Sequence, residues 1–198
     1  MASLEELWLQ TFNRLCARAA HEIKGALNGV SVNLEVVRSR AGKPESPASA
    51  VSQYAEAATQ QLTQVIGMTE AVLGLGRQAP EPLEVAPVLR RIAMLLGPGL
   101  ETTGHRLEVV EPLPDLGTTP ASGTAVRLAV GAALLAATET SARVVCAGEV
   151  AEGLATICID HGGAPLQSLG QDMMDRLREA GVRFETSAYR ITIAIPRI

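Results

Sequence analysis

The sequence predicts an α+β chain: an N-terminal helical hairpin that forms a four-helix bundle in a homodimer, followed by an α/β sandwich. Three observations carry this. From Ser3 to Arg77 apolar residues recur in steps of three and four, interrupted by one proline-bearing break. After Pro82 short strand-like runs alternate with shorter helical stretches. The chain has 198 residues, 47% of them apolar and 19% charged, which is enough for one large domain or two small ones around a real core.

The first helix follows from Phe12, Cys16, Ala19, Ile23, Leu27, Val30, Leu34 and Val37, a heptad-like seam without proline between Ser3 and Arg40. Ser3 with Glu6 three residues on has the form of a capping box at its start. One glycine and two prolines in 41–48 end the pattern and make a loop. A second helix from about Ser49 to Arg77 carries Val51, Tyr54, Ala58, Leu62, Val65, Val72 and Leu75 on its inner side. Two long helices with a short connection form an antiparallel hairpin.

Each helix has more apolar surface than one neighbour covers, because Leu7, Leu9, Leu15, Val32, Val36, Ile66 and Leu73 lie beside the seams. A second hairpin in a C2 homodimer is the simplest cover, and the second half of the same chain is the alternative.

Past the linker at 78–82, strands are expected at 106–110, 142–146, 154–160, 182–185 and 190–195, with helices at 88–96, 125–138 and 171–180. Four of the strands form two antiparallel pairs, 142–160 and 182–195. The order suggests one sheet with helices on one face. The expected division is a hairpin domain over 1–78 and a sandwich domain over 83–198.

Composition excludes several functions. Lys and Arg number 17 against 21 Asp and Glu, a net charge of -4, so binding to nucleic acid by phosphate neutralisation is not expected. One Trp, two Tyr and two Phe give no stacking platform for bases. Cys16, Cys146 and Cys158 lack any ligand or disulfide spacing and read as reduced, buried or half-buried thiols. The start has no basic-then-apolar signal, and the longest uncharged apolar run, 128–137, is far below the ~20 residues of a spanning helix. A soluble, cytoplasmic protein without membrane contact is expected.

One polar stripe on the first helix can carry chemistry. Arg14, Arg18, His21, Lys24, Gly25 and Asn28 step by three or four off the seam, with Glu22 on its flank. A solvated face that happens to include a histidine is the plain alternative. His105 and His161 read as surface histidines, the second in a turn after a strand.

The string His21-Glu-Ile-Lys-Gly-Ala-Leu-Asn28 resembles the H-box of sensor histidine kinases, usually His-Glu-Leu/Ile-Arg/Lys-Thr/Asn-Pro-Leu. His21, Glu22, Ile23, Lys24 and Leu27 match, while Gly25 and Ala26 depart from it. The resemblance implies that His21 accepts a phosphoryl group, Glu22 orients its imidazole and Lys24 attracts the incoming phosphate. Arg14, Arg18, Gly25 and Asn28 would then face the partner. Gly25 stands where the family often has Thr or Asn to position water, which removes the usual phosphatase residue. Ala26 replaces a helix-bending proline.

The second half resembles the ATP-binding domain of the same kinases in degenerate form. Ala133-Leu-Leu-Ala-Ala137-Thr stands where that family has Asn-Leu-Leu-x-Asn-Ala, so the magnesium-holding asparagine is gone. Asp160 and Gly162 match the Asp-x-Gly that reads adenine, or are simply a turn after a buried strand. No glycine-rich lid follows, and 166–181 is too short for one with its helix. As a whole the chain is similar to the dimeric histidine phosphotransferases of bacterial phosphorelays. This implies transfer between receiver aspartates through His21, no ATP and no cofactor of its own, with Mg²⁺ supplied by the partner receiver. Response-regulator receivers are the expected partners, with an upstream hybrid histidine kinase as a further one. An ATP-dependent kinase with an atypical site, or a non-catalytic scaffold or inhibitor of a two-component system, are the rival readings.

Overall fold

A computed structural model describes residues 2–43, 47–77, 82–163 and 170–198. Helix α1 (Leu4–Ala41) opens with the expected capping box: the Glu6 amide donates to Ser3 Oγ at 3.2 Å, and the Ser3 amide to Glu6 Oε2 at 2.8 Å. It runs unbroken through Ala26. Helix α2 (Ala48–Gly76) returns antiparallel along it.

Helix α3 (Val85–Thr102) is longer than the expected 88–96. Pro87 lies in its first turn, where an amide has no helical partner to lose. Gly97-Pro98-Gly99 reads as a stop, yet the helix continues, because Leu95, Leu96 and Leu100 on either side are all buried. Packing outweighs local propensity here.

The main sheet has five strands: β2 (Arg106–Val109), β4 (Arg143–Ala151), β5 (Leu154–Asp160), β6 (Arg183–Thr186) and β7 (Arg190–Pro196). They lie in the order β2-β4-β5-β7-β6. Among the described strands only β2 and β4 pair in parallel, Leu107 opposite Val144; the two expected hairpins, β4–β5 and β6–β7, are antiparallel. Alternate residues Val144, Cys146, Ile157, Ile159, Ile191, Ile193 and Ile195 are buried, so one face carries the core. Helices α3, α4 (Gly123–Thr140) and α5 (Gln171–Glu179) cover the sheet. A two-residue ribbon, β1 (Leu83–Glu84) with β3 (Thr118–Thr119), closes the start of α3. Cys16, Cys146 and Cys158 are free thiols, the first half-buried and the others buried.

Helix α4 is buried nearly all round, as its alanines and leucines require. It is clasped between the sheet, α3 and α1. Gly131 makes the approach of α1 possible, since a Cβ there would fall 3.0 Å from Thr11 Cγ2. Trp8 and Phe12 stack at 5.3 Å beside that contact.

The covering of the hairpin's apolar surface divides by face. Leu15, Ala19, Met68, Ala71 and Leu75 are buried in the core shared with α3 and α4. On the flank turned away, Leu27 (44%), Leu34 (53%), Leu62 (46%), Ile66 (52%) and Leu73 (54%) keep about half their surface exposed. Among the described residues, no helix is long and apolar enough to cross a membrane.

Arg127 fastens the hairpin to the sandwich. It is buried on α4, and its Nη1 donates to the carbonyls of Leu75 (3.0 Å) and Arg77 (2.7 Å) at the end of α2. Those carbonyls have no partner inside their own helix. Burial, then the charge of Arg91, lowers the Arg127 pKa.

Candidate functional site

His21 is exposed on α1, at a cleft of about 560 Å³ where α1 crosses α3 and the end of α4. Leu95, Leu96 and Leu100 of α3 form the apolar wall of this cleft. Arg18, Glu22, His105 and Glu139 give it a charged and polar rim.

The predicted stripe is divided by its surroundings. Arg14 and Arg18 both pair with Glu139 at the end of α4, at 2.6 Å and 3.0 Å. Arg18 also reaches Thr138 Oγ1 at 3.5 Å. Lys24, Gly25 and Asn28, further along, are exposed. A Cβ on Gly25 would meet nothing within 4 Å, so the helix face there is open. Gly25 and Ala26 line a second groove, of about 810 Å³, between α1, α2 and the Gly97-Pro98 stretch of α3.

Glu22 is half-buried and turned toward α3. A Cβ on Gly99 would lie 2.8 Å from its Oε1, so the missing side chain at 99 is what admits the carboxylate. The acid next to His21 therefore rests against the second half of the chain.

Two histidines differ from the sequence reading. His161 is a core residue rather than a surface one, 1% exposed. Its amide donates to the Tyr189 carbonyl at 2.9 Å, and its own carbonyl accepts from the Ser141 hydroxyl. The turn reading holds for Gly162, at φ 69°, but the side chain before it points inward because β5 enters the core there. His105 is half-buried and lines the same cleft as His21. Gly104 before it was the available signal, because a glycine just past a helix end turns the next residue back onto that helix. Glu139, which holds both arginines, carried no local signal, since only the crossing of α1 over α4 brings it there.

The residues that resemble a nucleotide site have other partners. Asp160 accepts a two-pronged pair from Arg190, Nε at 2.6 Å and Nη2 at 3.1 Å. Ala133 and Ala137 are fully buried within α4. Of the connection 166–181 expected in place of a lid, 166–169 lie outside the described residues, and α5 takes up most of the rest from Gln171. Among the described residues, no cluster of three or more His, Cys, Asp or Glu could hold a metal ion.

No family model matches the chain, and no curated protein is significantly similar to it in sequence. Solved structures do match. One is the histidine kinase ThkA in complex with the response regulator protein TrrA, with TM-score 0.50 and 13% identity over 96% of this chain and 63% of that one. The histidine kinase AdeS of Acinetobacter baumannii has TM-score 0.42 and 12% identity, over 89% of this chain and 97% of that one. A bacterial phosphotransferase has TM-score 0.40 and 13% identity, over 94% and 95%. At 13% identity the likeness to ThkA is one of fold, and the fold is histidine-kinase-like.

Proposed function

We propose that the chain is a histidine phosphotransferase that relays a phosphoryl group between response-regulator receiver aspartates through His21, without using ATP. The observation that carries the proposal is the exposure of His21 on α1 of a histidine-kinase-like hairpin, beside an open stretch of helix at Lys24, Gly25 and Asn28. A receiver docks on that stretch and brings its own Mg²⁺. A ring nitrogen of His21 attacks phosphorus while the bond from phosphorus to the receiver's aspartyl oxygen breaks, its electron pair leaving on the carboxylate. The second ring nitrogen keeps its proton and needs an acceptor, and Glu22, the adjoining residue, supplies it by swinging from its seat on α3. Lys24 draws in the incoming dianion. Return of the group to a second receiver reverses these steps. Positioning and electrostatics do the work, as in phosphoryl transfer generally.

The absence of ATP chemistry from the proposal is supported by three arrangements. The carboxylate that would read adenine is held by Arg190. Alanines stand at the positions resembling the magnesium-binding asparagine pattern. Helix α1 lies along α4, the helix that carries those alanines. The residues present do not suit a magnesium triphosphate, and no step is drawn through one. At Gly25 there is no side chain to hold a hydrolytic water, which fits relay better than phosphatase action.

The proposal includes a homodimer. The exposed row Leu62, Ile66 and Leu73 on α2, with Leu27 and Leu34 on α1, is the surface a second hairpin would cover in a four-helix bundle.

Labelling tests the function. Offered radiolabelled ATP with Mg²⁺, or labelled phospho-receivers in turn, the chain is expected to take label only from a receiver. Label from ATP would establish the kinase reading instead, and label from neither source the scaffold reading.

A further inference from the structure

The end of α3 is closed by a paired set of backbone hydrogen bonds. Gly104, at φ 76°, donates to the Glu101 carbonyl at 3.2 Å, and the His105 amide donates to the Leu100 carbonyl at 2.8 Å. This left-handed glycine closure turns the residue after it back over the helix. His105 is thereby fixed on the wall of the cleft that also contains His21 and Arg18. The transfer step has no use for a second imidazole, yet local backbone geometry places one there.

The donors available in this cleft can be counted. The Thr103 and Thr138 hydroxyls already donate to the carbonyls of Leu100 (2.9 Å) and Leu134 (2.7 Å). Glu139 is balanced by Arg14 and Arg18, and Glu22 is turned to Gly99. Among the described side chains of the cleft, what remains for an anion is the Arg18 guanidinium, which spends one N–H on Glu139 and one on Thr138 and keeps the others of its five, and the His105 imidazole, which bears at least one N–H in every protonation state. A phosphoryl group brings about two negative charges and three acceptor oxygens. Arginine suits such a group well. The leucine wall removes bulk water from one side.

We infer that Arg18 and His105 form a seat for the phosphoryl group carried by His21, in which the group is stored with its nitrogen–phosphorus bond shielded from hydrolysis. The inference rests on the proposed role of His21. In hydrolysis a water oxygen attacks phosphorus and the nitrogen–phosphorus bond breaks, its electron pair and a proton going to the imidazole. Turned into the cleft, the group presents its leaving nitrogen to α1 and its oxygens to Arg18 and His105, so the in-line path for water is blocked. Turned outward, it faces a receiver. His105 is a positioning residue in this scheme, for it acts on the phosphoryl oxygens and not on the attacking atom.

The seat can be tested without any receiver. The full chain is phosphorylated with phosphoramidate, whose nitrogen–phosphorus bond breaks with loss of ammonia. The site is mapped by peptide mass spectrometry, and decay of phospho-His21 is followed by ³¹P NMR. His105→Ala is expected to shorten the phospho-His21 lifetime about threefold or more, the scale of one net hydrogen bond. His105→Gln retains an N–H donor and is expected to recover most of that lifetime, which a purely structural role for the residue would not explain. Circular dichroism checks that both variants fold, and His105→Gln decides alone if His105→Ala does not. Equal lifetimes in the wild type and a folded variant without the imidazole donor overturn the seat, as does a label on His105 or none on His21. If no receiver ever labels His21 but the chemical label still depends on His105, the relay falls and the seat stands. Efficient relay with a lifetime indifferent to His105 has the opposite meaning.

Discussion

At the scale of single residues, Arg127 and Glu111 show how charge is used in this fold. Arg127 is 5% exposed and has no acidic partner among the described residues; its charge is met by the carbonyls that α2 leaves open at its end. Arg127→Ala removes those bonds and leaves the buried Leu75 carbonyl without its donor, so it is expected to cost about 3 kcal/mol in urea unfolding. A loss below about 0.5 kcal/mol would show that the carbonyls find water instead. Glu111 is the opposite case, an exposed carboxylate held by Arg90 at 2.8 Å and by the Leu113 amide. The Arg90 hydrogen bond first, then the amide, lowers its pKa from 4.5 to about 2. Because the folded value is depressed, the pair's contribution is present above pH 4.5 and lost as pH falls toward 2. NMR of the Glu111 carboxyl is expected to titrate near the lower value, and Arg90→Gln to bring it back toward the ordinary carboxylate range.

At the scale of elements, the contact between α1 and α4 governs where His21 lies. It depends on Gly131, beneath Thr11, Leu15 and Trp8. Gly131→Val inserts a branched side chain where even a Cβ is crowded, and overpacking of this kind costs roughly 1–3 kcal/mol. Hydrogen exchange is expected to rise in the first half of α1, because the wedge lifts that half from α4 and opens the His21 cleft. Unchanged exchange there would mean that the helices adjust around the wedge. The elements themselves were largely legible. The period of Phe12, Cys16, Ala19 and Ile23 marks α1, and the alternation in Leu154–Asp160 marks β5. The expected helix at 88–96 stops short of α3 because Gly97-Pro98-Gly99 is a local stop, while the burial of Leu100 that carries the helix past it is a tertiary fact. The ribbon Leu83–Glu84 with Thr118–Thr119 is too short to leave a periodic signal. In the site, His21, Glu22 and Lys24 stood out because their spacing is local. His105, Glu139 and the burial of His161 did not, because each depends on a contact between elements distant in sequence.

At the scale of the whole molecule, the hairpin has two apolar sides with different fates. One is sealed by α3 and α4, while Leu27, Leu34, Leu62, Ile66 and Leu73 stay exposed, the surface proposed for a second copy. Leu27→Asp with Leu34→Asp is expected to convert a dimer to a monomer in light scattering, since a charge in an apolar seam costs several kcal/mol, roughly. A wild-type chain that is already monomeric would contradict the bundle. The central claim concerns passage of a phosphoryl group through His21, and a pulse–chase measures it most directly. A labelled phospho-receiver is mixed with the chain, then chased with a second, unlabelled receiver in the absence of ATP. The expected result is label that passes through an acid-labile phosphohistidine at His21 to the second receiver, and a His21→Gln variant that folds as the wild type but passes none. Equal transfer by His21→Gln, or receivers that keep their label in the presence of the wild-type chain, would contradict the relay.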